Sequence, residues 1–180
     1  MAQKNECNNK FIININYFIK TNTAKQIEVT RTFNASVEMV WKVWTDAELV
    51  KRWWGPKHFI SPVAKINFRE GCKSIVGMQA PKEMGGQEFY SVWEYVKIVP
   101  LNTIEFIQSL SDKDGNKTDP VKLGMPSDFP IDIKTVVTFR EVTKSKTEMT
   151  VTEYAEFGTI SNFAQIGLEE SLDKMVAIFS

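Results

Sequence analysis

Four of the five tryptophans of this chain crowd into one segment, Arg31 to Pro56, which reads R-T-F-N-A-S-V-E-M-V-W-K-V-W-T-D-A-E-L-V-K-R-W-W-G-P. Trp41, Trp44, Trp53 and Trp54 bring large rings into few residues, and burying them together needs a concave apolar surface. The segment therefore constrains the fold. It calls for a sheet wrapped round its own core, and a wrapped sheet can hold a ligand.

The flanking patterns supply the elements. Gln26 to Phe33 alternates, with Ile27, Val29, Arg31 and Phe33 on one face, as a half-buried strand does. Ser36 is placed to cap a helix from Val37 to Trp44 with Val37, Val40, Trp41 and Trp44 on its stripe. Thr45 with Glu48 makes a capping box for a second helix, whose apolar face is Leu49, Val50 and Trp53 and whose stop is Gly55-Pro56. Strand-like runs follow at Val63–Phe68, Ser74–Ala80, Gln87–Ile98, Asn102–Leu110, Ile131–Arg140 and Thr147–Tyr154. The polar stretch Ser111–Pro130 has no clear period and reads as a long loop. Ser161 caps a final helix with Leu168, Leu172, Met175, Val176 and Phe179 on its main stripe and Phe163 and Ile166 beside its first turns. Consecutive strands joined by short turns imply an antiparallel sheet, and with the helices on one side the class is α+β.

Composition sets the outer limits. At 180 residues the chain is one domain, or one domain and a tail, large enough for a core without disulfides or metals. Its 22 basic and 22 acidic residues balance without long runs of either sign, so neither nucleic acid nor an anionic membrane surface is an expected partner. No apolar run approaches a membrane span. Cys7 and Cys72 lie far apart and read as reduced thiols in a cytoplasmic protein. Residues 1–24, rich in Asn, Ile, Lys, Phe and Tyr, read as an extension outside a domain spanning 25–180, and the natural start is expected to lie downstream of Met1. The run Phe11–Ile19 imitates a signal-peptide core, but two asparagines interrupt it and no small-residue cleavage pattern follows closely.

The order of elements, taken with several words, resembles the SRPBCC superfamily of START-like helix-grip folds. Within it the resemblance is to the group named for the activator of the large heat-shock-protein ATPase. The words are R-T-F-N-A-S at Arg31–Ser36, V-W-K-V-W-T-D at Val40–Asp46, K-R-W-W-G-P at Lys51–Pro56, D-G-N at Asp114–Asn116, T-V-V-T-F at Thr135–Phe139, V-T-E-Y at Val151–Tyr154 and S-L-D-K-M at Ser171–Met175. The resemblance implies a curved antiparallel sheet of about seven strands gripping the long C-terminal helix, first and last strands adjacent, with an apolar cavity between sheet and helix. It implies no single chemistry, since members bind lipids or polyketides, catalyse cyclisations or assist a chaperone. The chain departs from the pattern in two places. Gly167 is followed by Leu168 where relatives often have Trp, and Trp93 stands at a common glycine. Both changes alter cavity volume, so a relative's ligand does not transfer.

Three kinds of chemistry compete for the site. His58 is the only histidine, so a nucleophilic triad has little to work with; it reads as a loop residue at the cavity rim. Zinc, a P-loop and a dinucleotide fingerprint all lack their residues, and no metal or cofactor is expected. Parity places Gln108 and Glu153 on the inner face, with Arg31 on the neighbouring strand. Glu153 either pairs with Arg31 and satisfies itself, or orients a ligand or moves a proton. Trp54 is the expected rim tryptophan. Met78, Trp93, Tyr95, Phe106, Val137, Phe139, Phe163, Gly167, Leu168 and Ser171 complete the expected wall. The expected function is binding of a small, largely apolar molecule. A chaperone-interacting module and a cyclase or dehydratase-type enzyme are the alternatives.

Overall fold

The computed structural model describes residues 26–180, so the reading of residues 1–24 and Cys7 lies outside the described residues. Its strands are β1 Gln26–Phe33, β2 Ile60–Lys65, β3 Lys73–Gln79, β4 Glu88–Val99, β5 Thr103–Ser111, β6 Ile133–Thr143 and β7 Lys146–Tyr154. They form one antiparallel sheet in the order β1-β7-β6-β5-β4-β3-β2. Strands β2 to β7 meander in chain order, with one long connection between β5 and β6, and β1 closes onto β7, so the first and last strands are neighbours. The helices are α1 Val37–Thr45, α2 Ala47–Trp53 and α3 Ser161–Val176.

Indole packing seats the short helices on the concave face. The Trp44 ring lies 4.7 Å from Trp53, 5.9 Å from Trp93 and 6.2 Å from Phe106. Trp41 meets Phe68 at 5.6 Å and Phe139 at 5.2 Å. The buried polar edges are satisfied locally. Trp44 Nε1–H donates to Met149 Sδ at 3.1 Å and Trp53 Nε1–H to the Val43 carbonyl at 3.0 Å. Trp44 and Trp53 thus keep their apolar area inside without stranding their N–H groups.

Local chemistry shifts some boundaries. Asp46, not Thr45, caps α2: its carboxylate accepts from the Glu48 and Leu49 amides at 3.0 and 3.2 Å. Thr45 instead ends α1, its hydroxyl turned back to the Lys42 carbonyl. Helix α3 starts at Ser161 itself, with Ile160 before it and no side-chain cap. The strand expected at Val63–Phe68 runs over Ile60–Lys65, with an irregularity between Ile60 and Val63. Ser61 bonds the Gly77 carbonyl, and after Lys65 the chain leaves the ladder, its Asn67 amide donating to Ser74 Oγ.

The long loop after β5 is more ordered than its composition implies. Asp112 accepts from the Asp114 and Asn116 amides, an Asx turn, and Lys117 pairs with Asp132 at 2.9 Å and the buried Glu94 at 3.6 Å on the convex face. Further along, Asp128 accepts from the Thr159 amide at 2.8 Å and ties the loop to the entry of α3.

Helix α3 is anchored through its second half. Asp173 accepts from Arg31 Nε at 2.7 Å. Lys174 Nζ donates to the Gly55 and Phe59 carbonyls at 2.9 and 3.0 Å, and Glu170 accepts from the Lys57 amide at 3.0 Å. Leu172 and Met175 are fully buried against the sheet, whereas Phe163 and Ile166 are exposed.

The packing predicts unequal losses for two tryptophans. Trp44→Ala removes a ring at the centre of the aromatic cluster and should cost roughly 3–5 kcal/mol. Trp54→Ala, at a half-buried position, should cost about 1–2 kcal/mol. Denaturant titration compares the two, and equal losses contradict this division of labour.

Candidate functional site

Strand register lays the inner face out in rows. One row crosses β4, β5, β6, β7 and β1 as Tyr95, Phe106, Thr135, Glu153 and Ile27. The next holds Trp93, Gln108 and Ile133. Most of this face is closed. Trp93, Tyr95, Phe106, Val137 and Phe139 are buried in the core that α1 and α2 complete. Tyr95 spends its hydroxyl on Ser74 Oγ at 3.0 Å, and burial pushes its pKa up to about 12.

The first half of α3 is less deeply buried than the second, with Ala164, Gly167 and Leu168 half-buried. Gly167 shares its helix stripe with Ala164, Leu168, Ser171 and Met175, which pack against the sheet. A Cβ built on Gly167 meets no heavy atom within 4 Å among the described residues. Gly167 is thus a half-buried helix position with open space before it. The helix lining is otherwise plain: Leu168 is half-buried, and Ser171 donates its hydroxyl back to the Gly167 carbonyl at 2.7 Å.

Glu153 is the unusual group on this face. It is 8% exposed, and among the described residues no hydrogen-bond or ion-pair partner accompanies its carboxylate. Burial alone pushes its pKa up to about 7. The expected Arg31–Glu153 pair does not form. Arg31 stands opposite Met149 and Glu153 opposite Ile27, so Arg31 lies four residues along the strand from the position facing Glu153, and Asp173 takes the guanidinium. Lys174 is the other cation near this end, and the two backbone carbonyls occupy it while burial lowers its pKa. Two more polar atoms lie buried without partners, Thr135 Oγ1 directly across from Glu153 and Trp93 Nε1. Thr135 was not among the expected residues, although its parity with Ile133 and Val137 points it inward.

The remaining expected residues scatter. Trp54 is half-buried rather than free at a rim, its ring edge-on to Trp93 at 4.9 Å. Met78 packs beside Gly55 and is half-buried, as is Gln108. His58 is exposed, in a left-handed backbone conformation with φ 70°. Phe163 is 77% exposed and does not pack into the wall; it lies off the stripe on which Ala164 and Leu168 meet the core. Cys72 is buried and is not the free thiol expected of it.

Fold and words converge on one family. The chain belongs to the Activator of Hsp90 ATPase homolog 1-like proteins, whose family model matches residues 34–180. No curated protein matches it. Among solved structures it is similar to a protein from Arthrobacter aurescens at 21% identity and TM-score 0.72, covering 87% of this chain and 86% of that one. A Mycobacterium smegmatis protein aligns at 21% identity and TM-score 0.68, over 86% of this chain and 90% of that one. The AHSA1 protein of Silicibacter pomeroyi aligns at 16% identity and TM-score 0.66, over 86% and 96%. These likenesses show the fold, a half-barrel sheet around a long helix. No helix among the described residues is long and apolar enough to cross a membrane.

The state of Glu153 makes stability depend on pH with a definite sign. Unfolded, the carboxyl titrates near its ordinary 4.5; folded, near 7. Between these values the folded state keeps a proton that the unfolded state has lost. Stability therefore falls as pH rises through that window, by a term on the order of 3 kcal/mol at most. Glu153→Gln should flatten that part of the profile and exceed the parent in stability above it. Parallel slopes for the two proteins in urea titrations across the window would show that Glu153 is ionised when folded.

Proposed function

We propose that the protein binds a small, largely apolar molecule between the concave face and the first half of α3. One observation carries this reading: the sheet's inner face holds an unpartnered buried carboxyl, and the helix packed on that sheet has open space before Gly167. Apolar walls with few fixed polar groups are how such sites combine affinity with orientation. Gln108, Thr135, Glu153, Gly167 and Leu168 are the residues assigned to the site, with Trp54, Met78 and Ser171 at its borders. Arg31 serves it indirectly by fixing α3 through Asp173.

Contact with a chaperone is supported by the family's name alone, and a pull-down with the chaperone tests it. The enzyme reading would cast Glu153 as a proton donor, since a carboxyl titrating near neutrality suits general acid work. Binding comes first in either case. The cytoplasmic location expected from two reduced cysteines is not carried forward, because Cys72 is not a free thiol.

Gly167→Leu tests the site. The position is helical and faces open space, so the added side chain should leave stability unchanged or raise it by about 0.5–1 kcal/mol through helix propensity. It should weaken binding of Nile red, a neutral apolar fluorophore, by about ten-fold or more. Unchanged Nile red affinity in a stably folded variant places the dye, and the site, elsewhere.

A further inference from the structure

Resting on that reading, we infer that the bound molecule is electrically neutral and carries a hydrogen-bond acceptor oxygen, a ketone or an alcohol, and that Glu153 selects it against apolar acids. The argument is a census of charge around the gap. From the sheet, the inner-face positions of β4 to β7 contribute Trp93, Tyr95, Phe106, Gln108, Ile133, Thr135, Val137, Val151 and Glu153, of which Tyr95 already bonds Ser74. From β1 come Ile27, Val29 and Arg31, and Arg31 is held by Asp173.

Helix α3 adds no free cation. Lys174 is bound to two carbonyls, Glu170 accepts the Lys57 amide, and Glu169 accepts from Gln165 on the helix's own surface. Glu153 therefore stands as the single ionisable group without a partner on this face among the described residues.

That census decides the ligand's polar end. A carboxylate entering the gap would lose its water and meet a second carboxyl with no cation to neutralise either. A neutral oxygen meets hydrogen-bond donors instead. When protonated, the Glu153 carboxyl offers one O–H, Thr135 offers a hydroxyl without a partner, and the Gln108 amide offers N–H groups two strands away. A ketone or alcohol oxygen satisfies the buried carboxyl at no cost in charge, and the gap's apolar lining takes the rest of the molecule.

Ligands sharing one carbon chain and differing at the head test this. Tryptophan quenching of the full chain is titrated with decan-2-one, decan-1-ol, decanoate and decylamine at neutral pH, for the parent and for Glu153→Gln. The ketone and the alcohol should bind at least about ten-fold more tightly than decanoate to the parent. In Glu153→Gln, which keeps the shape and removes the acid, decanoate should recover to within about three-fold of the ketone. Decanoate or decylamine as the tightest parent ligand overturns the inference and leaves apolar binding standing. A decanoate penalty that persists unchanged in Glu153→Gln also overturns it, because the exclusion then has another source. Failure of all four to bind the folded parent contradicts both the inference and the binding reading.

Discussion

Everything in this molecule depends on how a curled sheet fills its own concavity. Seven strands curl into a half-barrel whose inner face is covered by three helices. The tryptophans of α1 and α2 plug one part of it, with Trp44 against Trp53, Trp93 and Phe106. The second half of α3 plugs another with Leu172 and Met175. The first half of α3 brings Gly167 to the same face and plugs nothing. Which positions along the helices carry bulk therefore decides how closely each part of the inner face is covered, and the proposed site lies where bulk is least.

The anchoring of α3 follows the same division. Glu170, Asp173 and Lys174 all lie in its second half and reach β1 and the loop after α2. These are partly exposed contacts, each worth little alone, but together they fix the helix where it is already packed. At its other end the helix is entered through Thr159 and Asp128, a contact with the long loop rather than with the sheet. The open end of the half-barrel is therefore bordered by loop and helix terminus, elements that can differ between relatives while the sheet stays the same.

The fold was legible because its signals are local and periodic. Alternation set β1, β3, β4, β5 and β7 to within a few residues, and helical spacing of indoles set α1 and α2. The misses have separate physical causes. Asp46 outcompeted Thr45 as a cap because its carboxylate reaches two amides, which sequence spacing alone does not rank. Ser61, Pro62 and the irregularity beside them moved β2 earlier, a register effect with no short-range signature. At the site, parity correctly turned Glu153, Gln108 and Gly167 inward. The partner of Arg31 was not legible, since knowing that two strands are neighbours does not give their stagger, and four residues of stagger separate Arg31 from the position facing Glu153. Phe163 was misread because it sits beside the packed stripe of Ala164, Leu168 and Ser171, and spacing alone does not say how far round the helix the packed face extends.

The central claim is that Glu153 sits in this gap as a neutral, unpartnered acid. Its carboxyl carbon, followed by NMR in the full chain with selectively labelled glutamate and assigned by Glu153→Gln, reports that state without reference to any ligand. The account predicts a midpoint near 7, far from the ordinary 4.5. A midpoint at or below the ordinary value would mean that the carboxylate is charged and partnered in solution, and the polar end of the proposed site would be lost with it.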